Sequence, residues 1–344
     1  MSRNTLSLIF QAIFSSSLIA DHVRIVWHAG EPMTMPMRFY EEAFELVEQH
    51  NPRNIPVTFV FQTNGMHITQ RWCDFIKAHP HQIDISISLD GPQPLHDAHR
   101  VDRTGRGTFV RIMHSIDLLQ ANGIFPTVLM VLTRETLPYP DALWQFLLER
   151  GIRSVAFLLE EALGAGQEIP LNTQDDLENY RAFLRRILTL RETCQHPPFI
   201  REIDGLIERI TTSEHRVYSQ ANTPLAVISF DCDGNISTLS PELLTLSHPR
   251  YAHFRFGNVT QDRLEDILSH PTFQRINAEV QRGVAMCKET CEYFVFCGGG
   301  SPINKLSETG TFAATETTHC RLKIKATTDV VMEHLLQSSQ KSAL

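Results

Sequence analysis

His28-Ala29-Gly30-Glu31-Pro32, Gln62-Thr63-Asn64-Gly65 and Ser88-Leu89-Asp90-Gly91-Pro92 decide the fold, because each closes a short run of β-branched and aromatic residues. Those runs, Val23-Arg24-Ile25-Val26-Trp27, Val57 to Phe61 and Ile83 to Leu89, read as strands. Helical patterns separate them, over residues 36–49 with Phe39, Ala43, Phe44 and Val47 inward, and from about Thr69 to Ala78. Two further strands, Thr127 to Leu132 and Ser154 to Leu159, alternate with a helix over 107–121 closed by Asn122-Gly123 and one around Leu143-Trp144-Gln145-Phe146-Leu147. Repeated β-α is the signature of a parallel sheet or barrel whose active site lies at the C-terminal ends of the strands. Taken singly, each glycine turn is only a turn, since Asn-Gly supplies the positive φ a tight reversal needs. Three in register, each with a polar side chain and a glycine that lets a ligand approach the backbone, predict a small-molecule site.

After Glu161 the pattern changes. Leu163-Gly164-Ala165-Gly166 reads as a loop, and residues 173–193 read as one long helix with Tyr180, Phe183, Leu184 and Leu188 on a face, ended by His196-Pro197-Pro198. A helix near 199–212 leads to a strand from Leu225 to Phe230, and Asp231-Cys232-Asp233-Gly234-Asn235 turns into a second strand. Beyond this point strands are few and turns many. The expected division is 1–215 and 216–344.

The chain of 344 residues is 42% hydrophobic and 20% charged, enough for one large unit and a small one. Acidic residues outnumber basic ones 39 to 31 without any Lys/Arg run, which gives a nucleic-acid partner no electrostatic support, and nothing points to a membrane. Arg3 followed by Leu6-Ser7-Leu8-Ile9-Phe10 resembles a secretory signal, but Leu6, Ile9, Phe10, Ile13 and Phe14 repeat at helical spacing and Gln11 interrupts the apolar run. An amphipathic helix is the better reading.

Near the end, Cys287, Cys291 and Cys297 precede Gly298-Gly299-Gly300, and Cys320 follows. Thiolates at this spacing, with glycines that let the backbone fold around a centre, suit an iron–sulfur cluster or a tetrahedral zinc. Spacing alone does not separate the two metals. Reduced cysteines favour the cytoplasm.

The succession HAGEP, QTNG, SLDGP, then His96-Asp97-Ala98-His99-Arg100 and Gly105-Arg106-Gly107-Thr108-Phe109, ending in CKETCEYFVFCGGGSPINKLSETGTFAATETTHC, resembles the radical S-adenosylmethionine (SAM) enzymes with a SPASM-type C-terminal domain, from about residue 5 to about 325. The tail further resembles the branch that cross-links side chains of ribosomal peptides, the cyclophane-forming maturases associated with glycine-rich-repeat precursors. Anaerobic sulfatase-maturating enzymes are cousins. The resemblance implies a partial (β/α)6 barrel plus a small cysteine-rich domain. It implies that Ala29, Gly30 and Glu31 line the methionine amino group of SAM, with Ala29 where glycine is usual, that Ser88 and Arg100 hold its ribose and carboxylate side, and that Gln62 and Asn64 form the neighbouring wall. Asp90 either joins them or only shapes its turn. Cys287, Cys291, Cys297 and Cys320 would complete one [4Fe–4S] cluster, the partners being a ribosomal precursor peptide and an electron donor such as flavodoxin or ferredoxin.

The chain also departs from that family. Members open with a strand and a Cys-x3-Cys-x2-Cys loop, and no such motif occurs here; Cys73 stands alone in a helix. The expectation is a barrel lacking its first strand, from a fragment, a late gene start or degeneration. Leu239 and Ser301 stand where auxiliary ligands are usual, leaving Cys232 as an extra ligand or a buried thiol and Cys194 as structural. Glu242 and Asp231, near the turn, are candidate carboxylate bases for a peptide substrate. Three readings follow: an incomplete maturase, inactive without the missing motif; a non-catalytic scaffold that binds peptide or SAM around one cluster or zinc; and an unrelated barrel enzyme.

Overall fold

The computed structural model describes residues 1–19, 21–162, 168–212 and 219–342. The expected loop at Leu163-Gly164-Ala165-Gly166 and the boundary near residue 215 lie outside the described residues. Six parallel strands form one sheet in the order of the chain: β1 (Val23–Trp27), β2 (Val57–Thr63), β3 (Ile83–Ser88), β4 (Thr127–Leu132), β5 (Ser154–Leu159) and β6 (Phe199–Ile200). Sequential order without a reversal puts every crossover on the same side, so helices cover one face and the sheet curls as part of a barrel. The helices are α1 (Arg3–Ser15), α2 (Met37–His50), α3 (Gln70–Ala78), α4 (Gln93–His99), α5 (Phe109–Ala121), α6 (Pro140–Glu149), α7 (Gln174–Glu192) and α8 (Arg201–Thr211).

Alternation along the strands separates two faces. Register joins Trp27, Phe61 and Ile85 in one row and Thr63, Ile87, Val128 and Val155 in another, and this face is packed under the helices. The opposite face carries Gln62 beside Ser86, Ser88 beside Leu129, and Val131 beside Leu158, most of them half-exposed or exposed. Arg24 and Asp84 pair at 3.1 Å on this concave side, toward its N-terminal end.

Residues Leu6, Ile9, Phe10, Ile13 and Phe14 of α1 are all buried, and Ser2 caps the helix by accepting from Thr5 N at 3.0 Å. The amphipathic reading therefore holds. The expected helix over 199–212 is corrected at its start: Phe199 and Ile200 pair with Ser154 and Val155 as β6, and the helix begins at Arg201. Two β residues surrounded by helical sequence carry too little pattern to be read.

The second half holds β7 (Ile228–Phe230) and β8 (Asn235–Thr238) as the predicted hairpin, the short pair β9 (Ser247–His248) and β10 (Ala252–His253), and β11 (Gly257–Asn258) on β8. The expectation of mostly turns is corrected by α9 (Pro271–Thr290), α10 (Phe294–Cys297), α11 (Pro302–Thr309) and α12 (Thr327–Ser342), with a π-helical turn over Cys320–Ala326. Phe273, Ile276, Val280, Gly283 and Cys287 are buried along one face of α9 at alternating spacings of three and four. Helix α12 returns to the barrel: Tyr180 of α7 meets Thr327 at 3.1 Å, and Arg181 and Arg185 pair with Asp329 and Glu333 at 3.1 Å each. One apolar core runs from Leu6 to Val331.

Candidate functional site

At the C-terminal rim of the sheet, Ala29 and Gly30 both take left-handed backbone angles, φ 66° and 69°. Alanine in that region carries strain of about 1 kcal/mol, so the position where glycine is usual still has a glycine's conformation. Glu31 then reaches across to the end of β2. Its carboxylate accepts from Met33 N at 2.9 Å, Thr63 Oγ1 at 2.6 Å and Asn64 N at 2.7 Å. Tyr40 Oη donates to the carbonyl of Pro32 at 2.6 Å, and burial together with the neighbouring Glu31 charge pushes that phenol well above its ordinary range. The first two loops are thus fixed to each other before any ligand arrives.

Gln62 and Ser88 stand on the concave face with no side-chain hydrogen bond among the described residues, and Gln62 is exposed. Asn64 Oδ1 accepts from Met66 N at 2.9 Å, which leaves its amide nitrogen free to donate. Arg100 is more committed than the sequence suggested. Its Nε and a terminal nitrogen donate to Asp90 at 2.5 and 3.2 Å, while Asp90 also accepts from Val131 N at 2.9 Å. Asp90 therefore shapes its turn, ties β3 to β4, and orients Arg100.

A buried relay supports this pair. Asp90 N donates to His96 Nδ1 at 3.1 Å, which makes Nε2 the protonated nitrogen, donating to Thr108 Oγ1 at 3.0 Å; Thr108 in turn donates to the Arg100 carbonyl at 3.1 Å. Burial holds His96 below its usual range, consistent with a neutral ring. Gly91, at φ 111°, allows the turn, because a Cβ there would stand 2.4 Å from Leu143 Cδ2.

The four tail cysteines come into one neighbourhood from four local structures: Cys287 in the last turn of α9, Cys291 at its C-cap, Cys297 at the end of α10 and Cys320 at the start of the π-turn. None is in a disulfide. Burial, with the charges of Cys297 and Cys291, pushes Cys320 up to about 12; burial also raises Cys287, against the lowering effect of Lys305. Gly299 N donates to Cys297 Sγ at 3.4 Å. Among the described residues no three His, Cys, Asp or Glu side chains stand in metal-ligand geometry. The donor set nonetheless fits a thiophilic centre: buried and half-buried thiols that sense one another's charge are costly as thiolates unless a cation takes up that charge.

Two candidate bases are engaged in their own turns, and one expectation, a buried Cys232, is corrected. Asp231 is spent on its hairpin, accepting from Asp233 N and Asn235 N at 2.9 Å and from Asn235 Nδ2 at 2.8 Å, so its carboxylate is a turn organiser. Glu242 accepts the hydroxyl of Ser240 within its own 3-10 turn. Cys232 is exposed at the hairpin tip rather than buried, and it is not among the groups whose charge Cys287 or Cys320 senses. Gly234 of that hairpin lies against Thr5 of α1.

Sequence reading also missed a polar cluster at the end of β5. A cavity of about 10 Å³, room for a single water, is lined there by Glu160, Glu161, Asn304, Glu308 and His319. Asn304 Nδ2 donates to Glu161 at 2.9 Å, and His319 N donates to Glu308 at 3.1 Å. His319 Nδ1 lies 3.1 Å from Glu161 Oε1 but lacks hydrogen-bond geometry, and burial with the nearby Lys323 charge lowers the imidazole to about 3. Nothing in the sequence marks His319 except its place beside Cys320.

Residues 18–146 match the family model of the Radical SAM superfamily, the part of the chain that builds the rim. The chain carries a radical SAM domain related to the anaerobic sulfatase-maturating enzymes. It belongs to the same family as the uncharacterized protein sll1766 of Synechocystis sp., with 41% identity over 96% of this chain and 83% of that protein. A serine-type anaerobic sulfatase-maturating enzyme of Bacteroides thetaiotaomicron is 24% identical over 86% of this chain and 73% of its own length. In fold, the chain is similar to native anSMEcpe with bound AdoMet and Kp18Cys peptide, with a TM-score of 0.80 at 19% identity, covering 99% of this chain and 91% of that one.

Proposed function

We propose that this chain is a radical SAM/SPASM maturase of the kind that modifies a ribosomal peptide by oxidative cross-linking of side chains or a related modification, in the cyclophane-forming branch. The observation that carries the reading is the contrast between a helix-packed face and an open concave face, with Ala29, Gly30, Glu31, Gln62, Asn64, Ser88 and Arg100 along the rim of that open side. In this reading residues 1–215 form the barrel and 216–344 the auxiliary part, in the cytoplasm. Among the described residues no helix is long and apolar enough to cross a membrane.

SAM and a reduced [4Fe–4S] cluster together supply hydrogen-atom abstraction from an unactivated carbon. The residues of this chain do the rest. Exposed backbone at Ala29 and Gly30 would line the methionine end of SAM, with Glu31 tying that loop to the end of β2. Gln62, Ser88 and the free amide of Asn64 offer uncommitted polar groups, and Arg100, held by Asp90, presents its remaining guanidinium edge. Cys287, Cys291, Cys297 and Cys320 would hold one auxiliary cluster, and the chemistry it would supply there is electron transfer. A precursor peptide and a flavodoxin or ferredoxin complete the system.

Residues 1–344 contain no Cys-x3-Cys-x2-Cys, so on their own they should bind SAM but not cleave it. That favours a second reading, a scaffold that binds peptide or SAM without turnover. One experiment separates them. The chain is assayed anaerobically for 5′-deoxyadenosine, alone and with an added N-terminal strand and cysteine triad. Product only in the extended form supports the maturase; SAM binding without product in either form supports the scaffold. Arg100→Ala in the extended form should weaken SAM binding by about 1–3 kcal/mol.

A further inference from the structure

We propose that Lys305 donates a charge-assisted hydrogen bond to the sulfur of Cys287 and so sets the reduction potential of the centre held by the tail cysteines. This rests on the reading of that tail as a cluster site.

Lys305 lies in α11 and is only 3% exposed. The partner its ammonium has is Cys287 Sγ, 3.6 Å away, and no carboxylate pairs with it among the described residues. An ammonium buried without a counter-charge costs several kcal/mol, and a neutral thiol is a poor acceptor. A thiolate bound to a cluster would remove both difficulties, because it is anionic and a good acceptor.

The surroundings are shaped for the lysine. A Cβ at Gly283 would stand 3.2 Å from Lys305 Nζ and 2.6 Å from the carbonyl of Phe312, so only glycine leaves the slot open. The other neighbours of the Cys287 sulfur are carbonyl oxygens, of Thr315 at 3.6 Å and of Gly299 at 3.9 Å, which only accept, so Lys305 is the donor among these contacts. A positive donor at a ligand sulfur stabilises the more negative, reduced state of a cluster, which raises its potential. Lys305 is therefore a positioning and tuning residue, not a catalytic one.

The test uses the full chain reconstituted anaerobically with iron and sulfide, as wild type, Lys305→Met and Lys305→Arg. Iron and sulfide content are measured, and the cluster is titrated with a chemical reductant and followed by absorbance and electron paramagnetic resonance. Lys305→Met should keep the cluster but lower the reduced-to-oxidised ratio at a fixed poise about tenfold, a shift of about 59 mV for one electron. Lys305→Arg should titrate near wild type. Loss of the cluster in Met while Arg retains it, both being folded by circular dichroism, overturns the tuning role and assigns Lys305 to holding the cluster instead. Loss in both alike, or unchanged titration in Met, overturns the inference and leaves the cluster reading intact. Wild type that binds zinc, or nothing, in place of iron and sulfide overturns the cluster reading and this inference with it.

Discussion

At the barrel rim, the acidic groups find their partners within the protein: half-buried Glu31 takes three donors, and buried Asp90 takes Arg100 and a backbone N–H of β4. In the cysteine tail the reverse holds. Lys305 is buried against a thiol, Cys320 is pushed up to about 12, and His319 keeps an unbonded nitrogen at a single-water cavity. A rim whose loops are already tied to each other, with Gln62, Ser88 and the Asn64 amide left uncommitted, is preorganised for a ligand. The tail instead keeps a buried ammonium whose hydrogen-bond partner is a thiol.

Loading should therefore divide the two regions. Reconstitution with iron and sulfide should raise the unfolding free energy by about 4 kcal/mol or more, the scale for a ligand held far above its dissociation constant. Saturating SAM should add much less. Chemical denaturation of apo, reconstituted and SAM-loaded protein measures both, and an equal response would erase the contrast.

Asp90→Ala removes one side of the Asp90–Arg100 pair and strands Val131 N, so the apo protein should lose about 3 kcal/mol. A loss below about 1 kcal/mol, where exposed pairs fall, would show that the rim is not held by its own charges.

His319 tests the tail by pH. Its folded value is lowered to about 3 from an ordinary 6.5, first by burial and then by the Lys323 charge. Between those values the unfolded chain binds a proton that the folded chain refuses. This contribution to stability is complete above pH 6.5 and is lost as pH falls toward 3, with a slope of up to about 1.4 kcal/mol per unit. His319→Gln should flatten the profile between pH 6.5 and 5, read by urea denaturation across that range.

The smallest effect is at the loop after β1. Ala29→Gly relieves a left-handed alanine and should stabilise by about 1 kcal/mol, seen as a shift in denaturation midpoint. A loss of stability there would mean that the alanine makes a packing contact worth more than its strain.

Five of the six strands were legible because their β-branched runs are long and end in turn residues that need glycine's backbone freedom. β6 escaped because two residues carry no period, and α9 was overlooked although Phe273, Ile276, Val280 and Cys287 spell its face. The rim residues were legible as a set, since strand ends are local features and parallel strands bring their C-termini to one side. What each carboxylate does was not. Asp231 and Asp90 both follow strands in acidic turns, yet one closes a hairpin and the other anchors an arginine across to β4.

By itself, then, the sequence determined the β/α order, the rim positions and the presence of four thiols near the end, because periodicity and spacing are local. Only the tertiary structure decided which of those groups are spent on the protein and which remain available. Burial and partnership depend on what the rest of the chain brings alongside: β4 beside Asp90, Gly283 beside Lys305, and the end of β5 beside His319.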